Sequence, residues 1–220
     1  MRVVLLQPPA WRLEHPAGTI ADVLGALRIA FGNLVRAHLR EGTELGIRCA
    51  DVFRSGGPVP DQLISAIAHD HLRQAAPTAF LLEGHPQNTA QARALDELLH
   101  ELGTPLDRVL HLHLSEHEIE RRVRHQAARR LCRESSLHCY EPEEADLPGN
   151  DTCEVCGGEL YQREDDREER IRGWFRSYDA LAEPLIQYYA GQDLVVTIDA
   201  VGTHEQIAGR ALTALREAGR

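Results

Sequence analysis

The sequence predicts an α/β fold built on a parallel sheet, and three observations carry that prediction. Short apolar, β-branched runs recur along the chain, helix-length segments separate them, and no repeat or low-complexity tract interrupts the alternation. Residues 2–7 (RVVLLQ) run into Pro8-Pro9, as a buried strand entering a loop does. Residues 20–27 and 34–39 read as helix, with Gly42 and Gly46 as punctuation. SGGPVP at 55–60 is a loop, after which Asp61 is placed to cap a helix over 62–73. A second strand follows at 79–82 (AFLL), then a helix over 89–102 stopped by Gly103. VLHLHL at 109–114 and LVVTI at 194–198 are the third and fourth strands. Between 131 and 161, Cys, Glu, Pro and Gly displace apolar residues, so this stretch reads as a small inserted module that side chains alone cannot hold together. Helix returns over 165–189, broken near Pro184.

A chain of 220 residues, 43% of them hydrophobic, can bury one good core beside such a module. A net charge of -10 and a pI near 5.6 lack the basic footprint of a general nucleic-acid or membrane-surface binder. No apolar run approaches the ~18 residues of a membrane span, and the N-terminal stretch has no leader pattern. The expectation is a cytoplasmic chain, monomer rather than oligomer, with no nucleic-acid or membrane partner. Every basic residue is arginine; the sequence has no lysine. Four of the five cysteines fall within 132–156, and such a cluster reads as metal-binding before disulfide. Cys153-x-x-Cys156 followed by Gly157-Gly158 is half of a tetrahedral site, because thiolates two apart on a tight turn can share one ion. Cys132 begins the other half, and His138, Cys139 or Ser135 completes it. The alternative is a module held by hydrogen bonds, with free thiols.

Several blocks in fixed order carry a family resemblance: VVLLQPP at 3–9, Gly32 to Arg36, GTELG at 42–46, VPD at 59–61, FLLEGHP at 80–86, TAQARALDELL at 89–99, PLDRVL at 105–110, CEVCGGELYQREDD at 153–166 and PLIQYY at 184–189. Along essentially its whole length the chain resembles bacterial adenylate kinases of the zinc-lid type. The resemblance implies a five-stranded parallel sheet flanked by helices, of the P-loop nucleoside monophosphate kinase kind. It also implies a core over 1–122 and 164–220, a monophosphate module at 31–60 within it, and an inserted zinc-type lid at 123–163.

The family's first loop is glycine-rich, with a lysine that reaches the transferring phosphoryl group. Here that loop reads QPPAWRLEH at 7–15. Gln7, Ala10, Arg12 and Glu14 stand at the glycine positions, and Leu13 stands at the lysine position. Side chains fill phosphate space, Glu14 repels polyphosphate, and Arg12 is a planar fork in place of a point charge. The expectation is a degenerate member with little or no phosphotransfer that still holds a nucleotide or related phosphate ligand. A working kinase relying on Arg12 and the lid arginines is the alternative.

From the resemblance, Arg36, Val59, Gly84, Gln91 and Arg121 are ligand-binding positions, with Arg36 on the monophosphate and Gln91 on the base. Arg129 and Arg163 carry catalysis if any remains, with Mg2+ needed only in that case. Arg121 and Arg129 lie about one helical turn further apart than in the family. Other positions have changed: Gln87 and Trp174 stand where arginines are expected, His85 where an aromatic is, and Glu83 where an aspartate is. The structural zinc falls to Cys132, His138, Cys153 and Cys156. A third reading is an enzyme repurposed around His15, Glu83, His85 and His113, a carboxylate and imidazoles suited to acid–base chemistry or a metal.

Overall fold

In the computed structural model, residues 1–8, 16–55, 59–135, 138–140 and 152–219 are described. The chain forms two compact units. One comprises Met1–Gln7, Leu13–His113 and Ala180–Arg220, and the other is built on Leu114–Asp179. The loop residues Pro9 to His15 lie outside the described residues, and so do the readings that fall on them.

In the first unit, β1 (Arg2–Leu6) is followed by α1 (Pro16–Leu24), β2 (Leu27–Ala30), α2 (Phe31–Glu41), α3 (Glu44–Ser55), α4 (Asp61–Ala75), β3 (Phe80–Glu83), α5 (Thr89–Glu101) and β4 (Arg108–His113). The second unit supplies α6 (Glu116–Ala128), β5 (Arg130–Cys132), β6 (Cys139–Tyr140), β7 (Leu160–Tyr161) and a 3-10 turn (Glu164–Asp166). Helix α7 (Glu168–Ala190) begins there and ends in the first unit, which closes with β8 (Val195–Asp199) and α8 (His204–Ala218).

An apolar run such as RVVLL needs cover on both faces, and β1 has it, in the middle of a five-stranded sheet ordered β2-β3-β1-β4-β8. Every pairing in this sheet is parallel. Val4, Leu82, Val109, Leu95, Leu99 and Tyr189 form the main core. A second cluster around Phe31, Leu63 and Ile67 ties α2, α3 and α4 together.

The fifth strand, β2, falls almost wholly between the helix readings at 20–27 and 34–39, in residues given no element from the sequence. It is a four-residue edge strand in which only Ile29 is buried, so it carries little of the apolar signature of a central strand. Gly46 does not punctuate. It sits inside α3, where an added Cβ would meet the His38 carbonyl oxygen of α2, so its bareness sets the close crossing of the two helices. Asp61 is the first residue of α4, with Pro60 in the capping position, and its carboxylate is directed elsewhere. Nor does Pro184 break α7: it lies on an exposed face, where water can satisfy the carbonyl of Ala180.

In the second unit, β6, β5 and β7 form a small antiparallel sheet. Its buried cluster is Cys132, Cys153 and Leu160, with Tyr140 against it. Two of these three residues are cysteines, which is a thin core for a folded module.

Candidate functional site

Two sites emerge, one in each unit. In the first unit, a cavity of about 400 Å³ opens among α2, α3, α4 and the start of α5. Its walls are largely apolar, including Phe31, Phe53, Val59, Ile64 and Leu181. Its polar side is organised by Asp61. One carboxylate oxygen, Oδ1, accepts from Asn88 Nδ2 at 2.9 Å and from Gln91 Nε2 at 2.6 Å. The Gln91 carbonyl accepts from the Gln87 backbone N–H at 2.8 Å. Asn88 also caps α5, its Oδ1 accepting from the Gln91 N–H at 2.9 Å. These bonds fix which end of the buried Gln91 amide donates and which accepts.

Behind this wall His85 is only 1% exposed and stacks on Phe31, with ring centroids 5.4 Å apart. Neither ring nitrogen has a well-directed hydrogen bond, although the Gln91 amide is near enough to favour the protonated form somewhat. Burial, and then the charge of His69, push its pKa down to about 4, so His85 is neutral at physiological pH.

At the carboxyl end of β3, Glu83 Oε1 accepts from both Nε and Nη2 of Arg28, each at 2.8 Å. Glu83 is nearly buried. A Cβ added at Gly18 would lie 3.8 Å from Arg28 Nη1, so this guanidinium runs alongside α1. His113 lies elsewhere. Leu5 pairs with both Glu83 and Leu110, so those two side chains share a sheet face, whereas His111 and His113 belong to the other. The His111 and His113 rings meet edge to face, and burial with the charge of His113 lowers the His111 pKa to about 4.

In the second unit, the arginines singled out from the sequence are paired with carboxylates. Arg129, at the end of α6 and 6% exposed, pairs with fully buried Asp166 at 3.2 Å, which Gln126 also reaches. Arg121 and Arg122 both hold Glu118. Burial pushes the Glu118 carboxyl up, but these two arginines outweigh it and keep it below the usual range. Arg163 is exposed and lies 3.8 Å from Asp165.

The second site is the group Cys132, His138, Cys153 and Cys156, whose ligand atoms all lie within 4.8 Å of one another. Cys132 Sγ is 3.4 Å from Cys156 Sγ, and Cys153 Sγ is 3.5 Å from His138 Nδ1. Ligands about 2.0–2.3 Å from one tetrahedral ion are themselves about 3.3–3.8 Å apart, so this set needs little adjustment to hold one. Backbone bonds set the ligands: Cys132 N–H donates to the His138 carbonyl, and Gly157 N–H donates to the Cys153 carbonyl across a tight turn. Gly157 has φ 73°, which suits glycine. A Cβ on Gly158 would fall 2.9 Å from Cys132 Sγ, so the two segments approach closely only because that position is bare. Cys139 is exposed on β6 and outside the group.

The sequence pattern of the family described as adenylate kinase matches residues 12–194. The chain is similar to the adenylate kinase of Streptomyces avermitilis, 42% identical over 217 residues that cover 98% of this chain and 97% of that one. It is likewise similar to the adenylate kinases of Streptomyces coelicolor, at 41% over 98% of this chain and 99% of the other, and Archaeoglobus fulgidus, at 34% over 90% of each. The chain belongs to the adenylate kinase family.

Within that family frame, the described residues sort plainly. Val59 and Gln91 line the cavity, and Gly84 sits against Phe31. Arg36 does not line it; the side chain is exposed and donates to Asn33. Arg121, Arg129 and Arg163 engage three different acidic residues. Of the histidine-pocket set, His15 lies outside the described residues, and Glu83 and His113 are on opposite faces of the sheet. Among the described residues, Cys132, His138, Cys153 and Cys156 are the one group of three or more His, Cys and carboxylate residues able to hold a metal. Sequence reasoning missed Arg28, because its short edge strand has too little apolar character to read as one, and the role of Asp61, whose partners lie 27 and 30 residues away. No helix among the described residues is long and apolar enough to cross a membrane.

Proposed function

We propose that this adenylate kinase family member holds a nucleotide-type ligand in the first unit's cavity but transfers phosphoryl groups little or not at all. The observation that carries this reading is the first loop, where Leu13 replaces the expected lysine and four glycine positions hold Gln7, Ala10, Arg12 and Glu14. Phosphoryl transfer relies almost wholly on positioned cations and N–H donors, and no lysine exists elsewhere in the chain to substitute. The state of the remaining arginines supports the same reading. Arg129 would have to abandon buried Asp166 to serve a phosphate, and Arg163 is an exposed side chain beside Asp165. Mg2+ would bind with a triphosphate only if transfer were retained. We assign residues 123–163 as the lid and zinc as its metal, through Cys132, His138, Cys153 and Cys156, in a structural role. Three thiolates and an imidazole are a donor set that suits zinc and leave no open position for chemistry. We place the protein in the cytoplasm as a monomer.

The test is a coupled assay with ATP, AMP and Mg2+. Turnover should fall at least a thousandfold below the ~10 s⁻¹ typical of enzymes. Leu13→Lys alone should not restore it, because Trp11, Arg12 and Glu14 remain. Turnover near that typical value in the unmodified protein would falsify the reading.

A further inference from the structure

We infer that His111 and His113 on β4 form an open two-imidazole site for a divalent transition-metal ion, separate from the cavity and from the cysteine group. A strand projects alternate residues to one side, so these two share a face of the parallel sheet. Val109 begins that face and is buried in the main core with Leu185 and Tyr189 of α7. His111 is half-buried and His113 is exposed, so the face opens to solvent toward the carboxyl end of β4. The two rings meet edge to face with centroids 6.0 Å apart. Imidazoles that share one ion about 2.0–2.1 Å away hold their ring centres roughly 5 Å apart, so about 1 Å of side-chain closure completes the chelate.

The neighbouring groups suit that use. Strand β8 places Thr197 opposite His111 and Asp199 opposite His113. Thr197 Oγ1 lies 3.4 Å from His111 Nδ1, a contact that orients the ring and leaves Nε2 to face an ion. Asp199 is exposed in the register position of His113, and Glu183 of α7 is near enough to favour positive charge at His111. Both carboxylates offset the charge of a bound cation. Burial, and then the charge of His113, lower the His111 pKa to about 4, so at neutral pH this residue offers the unprotonated imidazole that a metal requires. Imidazole nitrogens suit nickel, copper and zinc better than magnesium or calcium, and water fills the remaining positions. Half the ligands of a four-coordinate zinc site give about half its binding free energy, hence a Kd on the order of 10 μM. Such an ion exchanges freely and is lost on dialysis, unlike one held by the cysteine group.

The probe is nickel chloride, titrated by calorimetry at about pH 7.5 into the full-length protein preloaded with one equivalent of zinc. One nickel per chain should bind with a Kd near 10 μM, and magnesium should give no saturable heat. His113→Ala changes an exposed residue and leaves the cysteine group intact, so the variant should fold and bind nickel at least tenfold more weakly, because one imidazole cannot chelate. In nuclear magnetic resonance spectra, substoichiometric nickel should broaden the amide signals of residues 111–113 and 197–199 before any others. Unchanged nickel affinity in His113→Ala overturns the inference, since the ion would then sit at another of the chain's twelve histidines or at its cysteines. Broadening that begins elsewhere overturns it, as does the lack of saturable binding below about 1 mM.

Discussion

The cavity of the first unit and the cysteine group of the second differ in what they keep of a binding site. The cysteine group keeps its donors: four ligand atoms spaced for one ion, with a bare glycine where a side chain would intrude. The cavity keeps its walls and its oriented amide but has no cation in its described lining. A structural metal site fails as a unit when one ligand is lost, because the thin apolar cluster around it cannot hold the module by itself. The cavity's scaffold is a buried apolar core that needs no ligand to hold it, so charges around it can change one at a time without unfolding it. Changes in the cysteine group are therefore expected to cost folding, whereas changes in the charges around the cavity are not.

The largest expected effect breaks that comparison at its stronger side. Protein purified without chelator should contain close to one zinc per chain. Removing it with a strong chelator, or substituting Cys153→Ser with Cys156→Ser, should unfold the module around β5, β6 and β7. The loss is on the order of 10 kcal/mol of metal-linked folding free energy in comparable sites. Limited proteolysis reads this directly: cleavage should concentrate between residues 130 and 162, while the parallel sheet keeps its far-ultraviolet circular dichroism. Equal protease resistance with and without metal would remove the structural role.

A smaller effect is expected at the cavity wall and depends on pH. His85 titrates near 6.5 when unfolded and near 4 when folded, because it is buried without a carboxylate partner. The neutral form is the one the fold accommodates. Its contribution is fully present above about pH 6.5 and is lost as pH falls toward 4. Between pH 7.5 and 5 the linkage amounts to about 2 kcal/mol of stability for this one residue. Urea unfolding at the two pH values should show that loss. His85→Phe, which preserves stacking on Phe31, should flatten most of it, with a residual slope from His111, whose pKa is lowered in the same direction. A slope unchanged in His85→Phe would mean that His85 is already solvated in the native state.

Much of this molecule was legible in its sequence, and the gaps have physical causes. The central strands were readable because burial on both faces demands continuous apolar runs, as in RVVLL and FLLE. The edge strand LRIA was not, since three of its four residues escape full burial. Strands β5, β6 and β7 are two or three residues long, too short for any period to register. Alternation within β4 put His111 and His113 on one side, but the register that sets Glu83 on the other is a property of strand pairing between distant segments. Asp61 read as a helix cap because its residue type and position fit one, and only the fold brings Asn88 and Gln91 to it. Cys153-x-x-Cys156 was visible as a local turn. Its fourth partner was not, because the segment after Cys132 carries His138, Cys139 and Ser135 as competing donors.

The smallest expected effect settles that last ambiguity. His138 belongs to the four-residue group, and its Nδ1 lies 3.5 Å from Cys153 Sγ. Cys139, its neighbour in sequence, begins β6 with an exposed side chain outside the group. Adjacent residues entering a strand point to opposite faces, so the site can use one of the two and not both. Cys139→Ser should therefore keep one zinc per chain and shift stability by no more than about 0.5 kcal/mol, as exposed substitutions usually do. His138→Ala should lower zinc affinity by at least a hundredfold, measured by competition with a chromogenic chelator, because it opens one corner of a tetrahedron that water fills poorly. If Cys139→Ser strips the metal while His138→Ala retains it, the ligands are four thiolates and the turn after Cys132 rearranges on binding. If both variants keep full affinity, Ser135 or water completes the site, and the three cysteines alone hold the ion.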